Sequence, residues 1–134
     1  MKKILLLSSI VLAFFATAAT ASAQRKGHFE IVKTDAGKYY FVLKSSNGQE
    51  LLKGYQFASA DKVQDAIAQA KAQAAADANF DQRNEKNQFY FFLKGADGKA
   101  IARSENYTTE AAMKRGIDSV KKTAPEAAVN PVAN

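Results

Sequence analysis

Apolar and polar positions along this chain run through the same series twice. Phe29-Glu30-Ile31-Val32-Lys33 alternates with a period of two, which predicts a strand carrying Phe29 and Ile31 on one face. Asp35-Ala36-Gly37-Lys38 has turn chemistry, and Tyr39-Tyr40-Phe41-Val42-Leu43-Lys44 follows as a second, aromatic strand. Ser46-Asn47-Gly48 is a hairpin turn signal, and Gln49 to Lys53 reads as a third strand. The period then changes. Val63, Ala66, Ile67 and Ala70 fall at i, i+3, i+4 and i+7, which puts them on one stripe of a helix running from Ala60 to about Ala76, with Ser59 as its N-cap.

The second series begins near Asn79. Phe80 stands for Phe29, and Phe89-Tyr90-Phe91-Phe92-Leu93-Lys94 for the aromatic run, with one residue fewer between them. Beyond that point each position has its counterpart fifty residues on: Asp97-Gly98 for Asn47-Gly48, Ile101-Ala102 for Leu51-Leu52, Tyr107 for Phe57, and Thr109 for Ser59. Met113, Gly116, Ile117 and Val120 repeat the helical stripe. Glu110 in its first turn and Lys121-Lys122 in its last suit the helix dipole. The chain thus reads as an α+β fold of two tandem β-β-β-α repeats, residues 24–78 and 79–123, with antiparallel sheets and one helix per repeat. A Pro/Ala/Asn tail over 124–134 is expected to be disordered.

One helix covers one face of a three-stranded sheet, yet Phe89, Phe91 and Leu93 alternate with Tyr90 and Phe92, so both faces of the run are apolar. Burying each aromatic is worth about 1.5–3 kcal/mol. The units are therefore expected to pack on each other about a pseudo-two-fold axis, giving a monomer with internal symmetry. A homodimer through the same face is the alternative. Lys44 and Lys94 close the two runs as charged gatekeepers.

The first residues have targeting chemistry instead. Lys2 and Lys3 precede the apolar stretch Ile4 to Phe15, and Ala21-Ser22-Ala23 supplies a small-x-small cleavage site. The stretch is shorter than the roughly 20 residues a membrane span needs. Residues 1–23 are read as a signal peptide cut between Ala23 and Gln24, and the protein as periplasmic or secreted. No cysteine is present, so neither a lipoprotein anchor nor a disulfide framework is available. Cleavage leaves 111 residues and removes two lysines and no acid, lowering the formal charge from +6 to +4.

Several of these residues carry a family pattern. Phe29-Glu30-Ile31, Leu43-Lys44, Asn47-Gly48-Gln49, Ser59 and Ile67 resemble the YegP-like family of small bacterial domains. In the second copy Tyr90-Phe91-Phe92-Leu93-Lys94, Asp97-Gly98-Lys99, Ser104-Glu105-Asn106-Tyr107 and Gly116-Ile117-Asp118-Ser119-Val120-Lys121-Lys122 are closer still. The resemblance spans about residues 28–123. It implies one α+β body made of paired units, and it implies no activity. The last motif is kept in the second unit only, the first having Ala66 where the second has Gly116.

Catalytic signatures are sparse. His28 is the only histidine and reads as an exposed edge residue. Asp97-Gly98 and Asp35-Ala36-Gly37 lack the oxygen ligands of a calcium loop and read as hairpin turns. No nucleophile elbow, phosphate loop or dinucleotide fingerprint occurs, so the chain is read as a non-enzyme without cofactor or metal. An alternative is a small hydrolase using Glu105 and Asp118, which would have to lie close together. A structural or stress-related envelope protein is a further alternative. Lys44, Lys53, Lys94, Lys99 and Arg103 have aromatics between them, as in single-strand stacking platforms, but export and modest charge speak against nucleic acid. An anionic envelope ligand or an unidentified protein is the expected partner. Lys94, Lys99, Arg103, Lys121 and Lys122 are the candidate ligand-binding residues. Tyr107 and Phe57 are expected to plug the helix–sheet junction instead.

Overall fold

The computed structural model describes residues 27–133, so the proposed signal peptide lies outside the described residues. Strands β1 (His28–Lys33), β2 (Tyr39–Lys44) and β3 (Glu50–Gly54) precede helix α1 (Ala60–Gln73). Strands β4 (Phe80–Glu85), β5 (Gln88–Lys94) and β6 (Ala100–Arg103) precede α2 (Glu110–Thr123), and β7 (Ala128–Ala133) follows. Ser59 and Thr109 cap the helices as expected, accepting from the Lys62 and Ala112 N–H groups at 3.3 and 3.0 Å. α1 ends short of Ala76. The Asn79 amide donates to the Gln73 carbonyl at 2.9 Å, and residues 77–79 tighten into a 3-10 turn that aims the chain into β4.

All seven strands form one sheet in the order β4-β5-β6-β3-β2-β1-β7. The first six positions read the same from either end, and β3 and β6 meet antiparallel, with Lys53 opposite Arg103 and Gly54 opposite Ala102. That is the expected pseudo-two-fold, and its axis passes through the β3–β6 seam. The units join edge to edge, because pairing β3 with β6 satisfies two rows of backbone groups that would otherwise be edges. The second face of the sheet is consequently not buried between the units, contrary to the packing expected from the aromatic alternation.

The helix-bearing face holds the core. Phe29, Phe41, Leu43, Leu52, Phe91 and Leu93 are buried there against the Val63–Ala70 and Met113–Val120 stripes. Phe29 meets Phe41 edge to face at 5.6 Å, and Phe80 meets Phe91 in the same way at 5.7 Å. Each helix crosses the unit boundary: α1 packs on β1, β2 and β5, and α2 on β5 and β3.

Two expectations are corrected. Residues 124–134 were expected to be disordered, but 124–126 make a 3-10 turn and β7 pairs parallel to β1, Phe29 opposite Val129. Buried Ala124 and Ala127 tie this segment to the core, and a strand containing proline is tolerated because β7 is the outer edge. His28, read as an exposed edge residue, is half-buried on a strand paired on both sides. Its Nε2 lies 2.7 Å from Glu30 Oε2.

Candidate functional site

Alternation in β2, β3, β5 and β6 sends Tyr40, Val42, Lys44, Lys53, Tyr90, Phe92, Lys94 and Arg103 to the face opposite the helices. No other described element covers this face. Its aromatics are blanketed instead by long cationic side chains, whose methylene stems lie over apolar surface while their charges stay wet. The Lys53 ammonium sits 5.1 Å from the Tyr40 ring centroid, the Arg103 guanidinium 4.0 Å from that of Tyr90, and the Arg83 guanidinium 5.7 Å from that of Phe92.

The seam is the centre of this arrangement. Lys53 and Arg103 are cross-strand partners on the pseudo-dyad, like charges directly opposite each other. Each leans outward on to the tyrosine of its own unit. Neither has a carboxylate within ion-pair distance among the described residues, and Arg103 Nε is buried without a hydrogen-bond partner. The other end of the Arg103 guanidinium donates to Asn106 Oδ1 at 2.8 Å, which fixes the fork. A groove of about 600 Å³ runs along the seam, lined by Tyr40, Glu50, Lys53, Tyr55, Arg103, Glu105 and Asn106 among others. Tyr55, at 44% exposure, is one of two large apolar side chains left open to solvent among the described residues.

Away from the seam the outer face neutralises itself. Glu30 takes both His28 and the Lys44 ammonium (3.3 Å), and the His28 hydrogen bond, with Lys44, holds its carboxyl below the ordinary value of 4.5. Asp81 is held below 3.8 by the hydrogen bond from Arg83, 2.7 Å away. Of the outer-face cations, Lys53 and Arg103 at the dyad and Lys94 at the end of β5 make no ion pair among the described residues.

The five candidate residues do not converge. Arg103 lies in the seam groove. Lys94 ends β5 on the same face, near enough to Asp81 to help hold its carboxyl down. Lys99 lines a different cleft, between α1 and the β5–β6 hairpin. Lys121, in the last turn of α2, reaches Asp77 Oδ1 at 2.6 Å, and that hydrogen bond raises its pKa. Its counterpart Lys71 donates to the Ala127 carbonyl at 3.0 Å, so both lysines tie a helix end to the segment that follows the other helix. Lys122 is exposed on α2.

Glu105 and Asp118 are likewise not brought together. Glu105 lines the seam groove and accepts from the Gln49 amide at 3.2 Å, whereas Asp118 is exposed on α2 outside the clefts that Glu105 lines. Among the described residues no group of three His, Cys, Asp or Glu could hold a metal. Tyr40 was not singled out as a site from sequence, and Lys53, read there as one of the basic positions of a stacking platform, was not among the candidate ligand-binding residues. Their signal was available in the fifty-residue offset that makes Lys53 the counterpart of Arg103, and Tyr40 that of Tyr90.

Tyr107 does plug a junction, bridging to Phe89 and stacking on Phe91 at 6.4 Å. Its hydroxyl is buried without a partner, and burial pushes its pKa above the ordinary 10.0.

Comparison with known proteins places this geometry. A family model, "Domain of unknown function (DUF1508)", matches residues 35–81 and again 84–130. Each match spans a hairpin, a helix and the strand after it, so β7 stands to the second copy as β4 stands to the first. The chain is 37% identical over 97 residues to the UPF0339 protein YegP of Yersinia pestis, covering 72% of this chain and 87% of that one. It is 33% identical over 109 residues to a UPF0339 protein encoded in the ptx operon 5′ region of Stutzerimonas stutzeri, covering 81% and 98%. The solution NMR structure of yegP from E. coli, a protein of unknown function, superimposes with a TM-score of 0.75 at 28% identity, covering 81% of this chain and 95% of that one.

Proposed function

Because the chain belongs to the DUF1508 family of domains of unknown function, a kinship that brings a fold and no activity, we propose that it is an exported, non-enzymatic binding module of the bacterial cell envelope that receives an anionic partner on the open face of its sheet. The observation that carries this reading is the pair Lys53 and Arg103, facing each other across the seam on the face opposite the helices, with no acid bound to either among the described residues. Two like charges held side by side cost stability. A shared anion would relieve that repulsion through charge-assisted hydrogen bonds to both side chains.

Export is supported by the Lys2-Lys3 start, the apolar stretch and Ala21-Ser22-Ala23. Among the described residues no helix is long and apolar enough to cross a membrane.

The test is a thermal-shift screen of the purified protein against acidic glycans, anionic vesicles and peptidoglycan fragments, at low and high salt. A ligand at 100 times its Kd adds about 2.7 kcal/mol, which moves the midpoint of a domain this size by several degrees. The expected result is a shift that shrinks with salt and is lost in Lys53→Gln but kept in Lys122→Gln. A shift indifferent to salt and to Lys53 would refute the anionic reading. N-terminal sequencing of envelope material should begin at Gln24; a chain retained in the cytoplasm with residues 1–23 intact would refute export.

A further inference from the structure

Resting on the binding reading above, the seam groove narrows the ligand to a class, and we propose that it takes an acidic sugar: a polyhydroxylated ring whose single carboxylate sits between Lys53 and Arg103. The groove's volume, about 600 Å³, falls within the range of small-molecule sites. Its lining has mixed chemistry. Tyr55, open to solvent, offers a flat face for the C–H side of a sugar ring. Gln56 and Asn106 carry amides that both donate and accept, and Glu50 and Glu105 carry acceptor oxygens suited to hydroxyl groups.

Sign decides between anions. Glu50 and Glu105 line the same groove as Lys53 and Arg103, so a densely charged phosphate chain laid along it would meet carboxylates as well as cations. A ligand with one negative group and several hydroxyls satisfies both: its carboxylate faces the dyad cations and its hydroxyls face the glutamates. A lipid tail is poorly served, because few lining side chains are aliphatic. The Arg103 guanidinium is already held in place by its hydrogen bond to Asn106 Oδ1 at 2.8 Å, so little ordering is needed on binding.

The probes are D-galacturonate, D-galactose and inorganic phosphate, titrated into the uniformly ¹⁵N-labelled full-length mature protein and followed by amide chemical shifts. Galacturonate should move the resonances of Tyr40, Tyr55, Arg103 and Asn106, and galactose should bind at least about tenfold more weakly, since a charged hydrogen bond is lost. Arg103→Gln should weaken galacturonate by a similar factor. Lys53 is exposed, so Lys53→Gln gives a second, fold-neutral variant that should do the same. Equal binding of galactose, or unchanged binding in Lys53→Gln, overturns the inference. Phosphate shifting the same residues as strongly as galacturonate overturns the sugar class while leaving the anionic reading standing. No shift at the seam from any of the three, with no anion detected in the thermal screen, overturns both.

Discussion

At the scale of single residues, the difference between the two copies of the helix motif has a steric cause. A Cβ on residue 116 would lie 2.7 Å from Tyr107 Cζ and closer still to its hydroxyl oxygen, so glycine is required where that hydroxyl sits. In the first unit the counterpart of Tyr107 is Phe57, which lacks the hydroxyl, and the counterpart of Gly116 is Ala66, which has the methyl. The copies exchange one heavy atom across the same contact. Gly116→Ala should therefore destabilise by about 1–3 kcal/mol, as overpacking does. Adding Tyr107→Phe should restore most of the loss, because the pair then reproduces Phe57 and Ala66. Urea melts of the two single variants and the double would show this as a coupling energy, and additive losses would exclude the steric account.

Tyr107 also makes a pH prediction. Burial raises its folded pKa above 10.0, so the folded chain keeps a proton that the unfolded chain gives up. Its contribution is fully present below pH 10 and declines as pH rises past it. Tyr90, raised by its hydrogen bond to Glu85, and Lys121, raised by Asp77, slope the same way. Tyr107→Phe should thus make the alkaline fall in stability shallower without abolishing it, measured as chemical-denaturation midpoints from pH 8 to 11.

At the scale of elements, the seam sets stability against binding. Lys53 and Arg103 oppose each other directly, so Lys53→Gln should raise stability by about 0.2–1 kcal/mol, with a gain that shrinks in high salt. The same substitution is expected to weaken the ligand. Opposite signs in melting and binding would mark Lys53 as kept for function, whereas a loss of stability would mean that its stem over Tyr40 outweighs the repulsion. Gly54 shows how tightly β3 is fitted. A methyl there would meet the Phe41 ring at 2.6 Å, so Gly54→Ala should cost about 1–3 kcal/mol by the same melts.

Much of this scale was legible in the chain, for local reasons. Period-two and period-3.6 patterning is written where each element folds, so the three strands, the N-caps at Ser59 and Thr109 and both buried stripes could be read directly. What joins the elements was not legible. Whether apolar Tyr90 and Phe92 face another unit or lie under cationic stems depends on partners remote in sequence. The β7 segment, short and proline-containing, has no strand pattern of its own and forms because β1 offers an open edge. Of the candidate cations, Arg103 lines the seam groove, while Lys121 is paired with Asp77 in the linker of the other unit, a partner its own sequence neighbourhood does not reveal.

At the scale of the whole molecule, the two units are halves of one core. α1 packs on β5 as well as on its own β1 and β2. The Gln69 side chain of α1 also accepts from the Ala96 N–H at 3.0 Å, closing the hairpin of the other unit. Gly95 stands beside it because a Cβ there would meet the same Gln69 oxygen at 2.5 Å. Lys71 and Lys121 repeat the crossing at the far ends of the helices. A chain cut between Asn79 and Phe80 would leave each half with a β3 or β6 edge unpaired and a helix stripe partly uncovered, and small domains have little stability to spare. Each half alone should therefore show no cooperative monomeric melt, being either unfolded or a homodimer that replaces the β3–β6 seam with a true two-fold. Mixing the halves should recover the native circular dichroism spectrum and a single complex on gel filtration. Independent cooperative melting of either half as a monomer would mean that the crossing contacts decorate two finished domains, and the seam groove would then be an interface free to open.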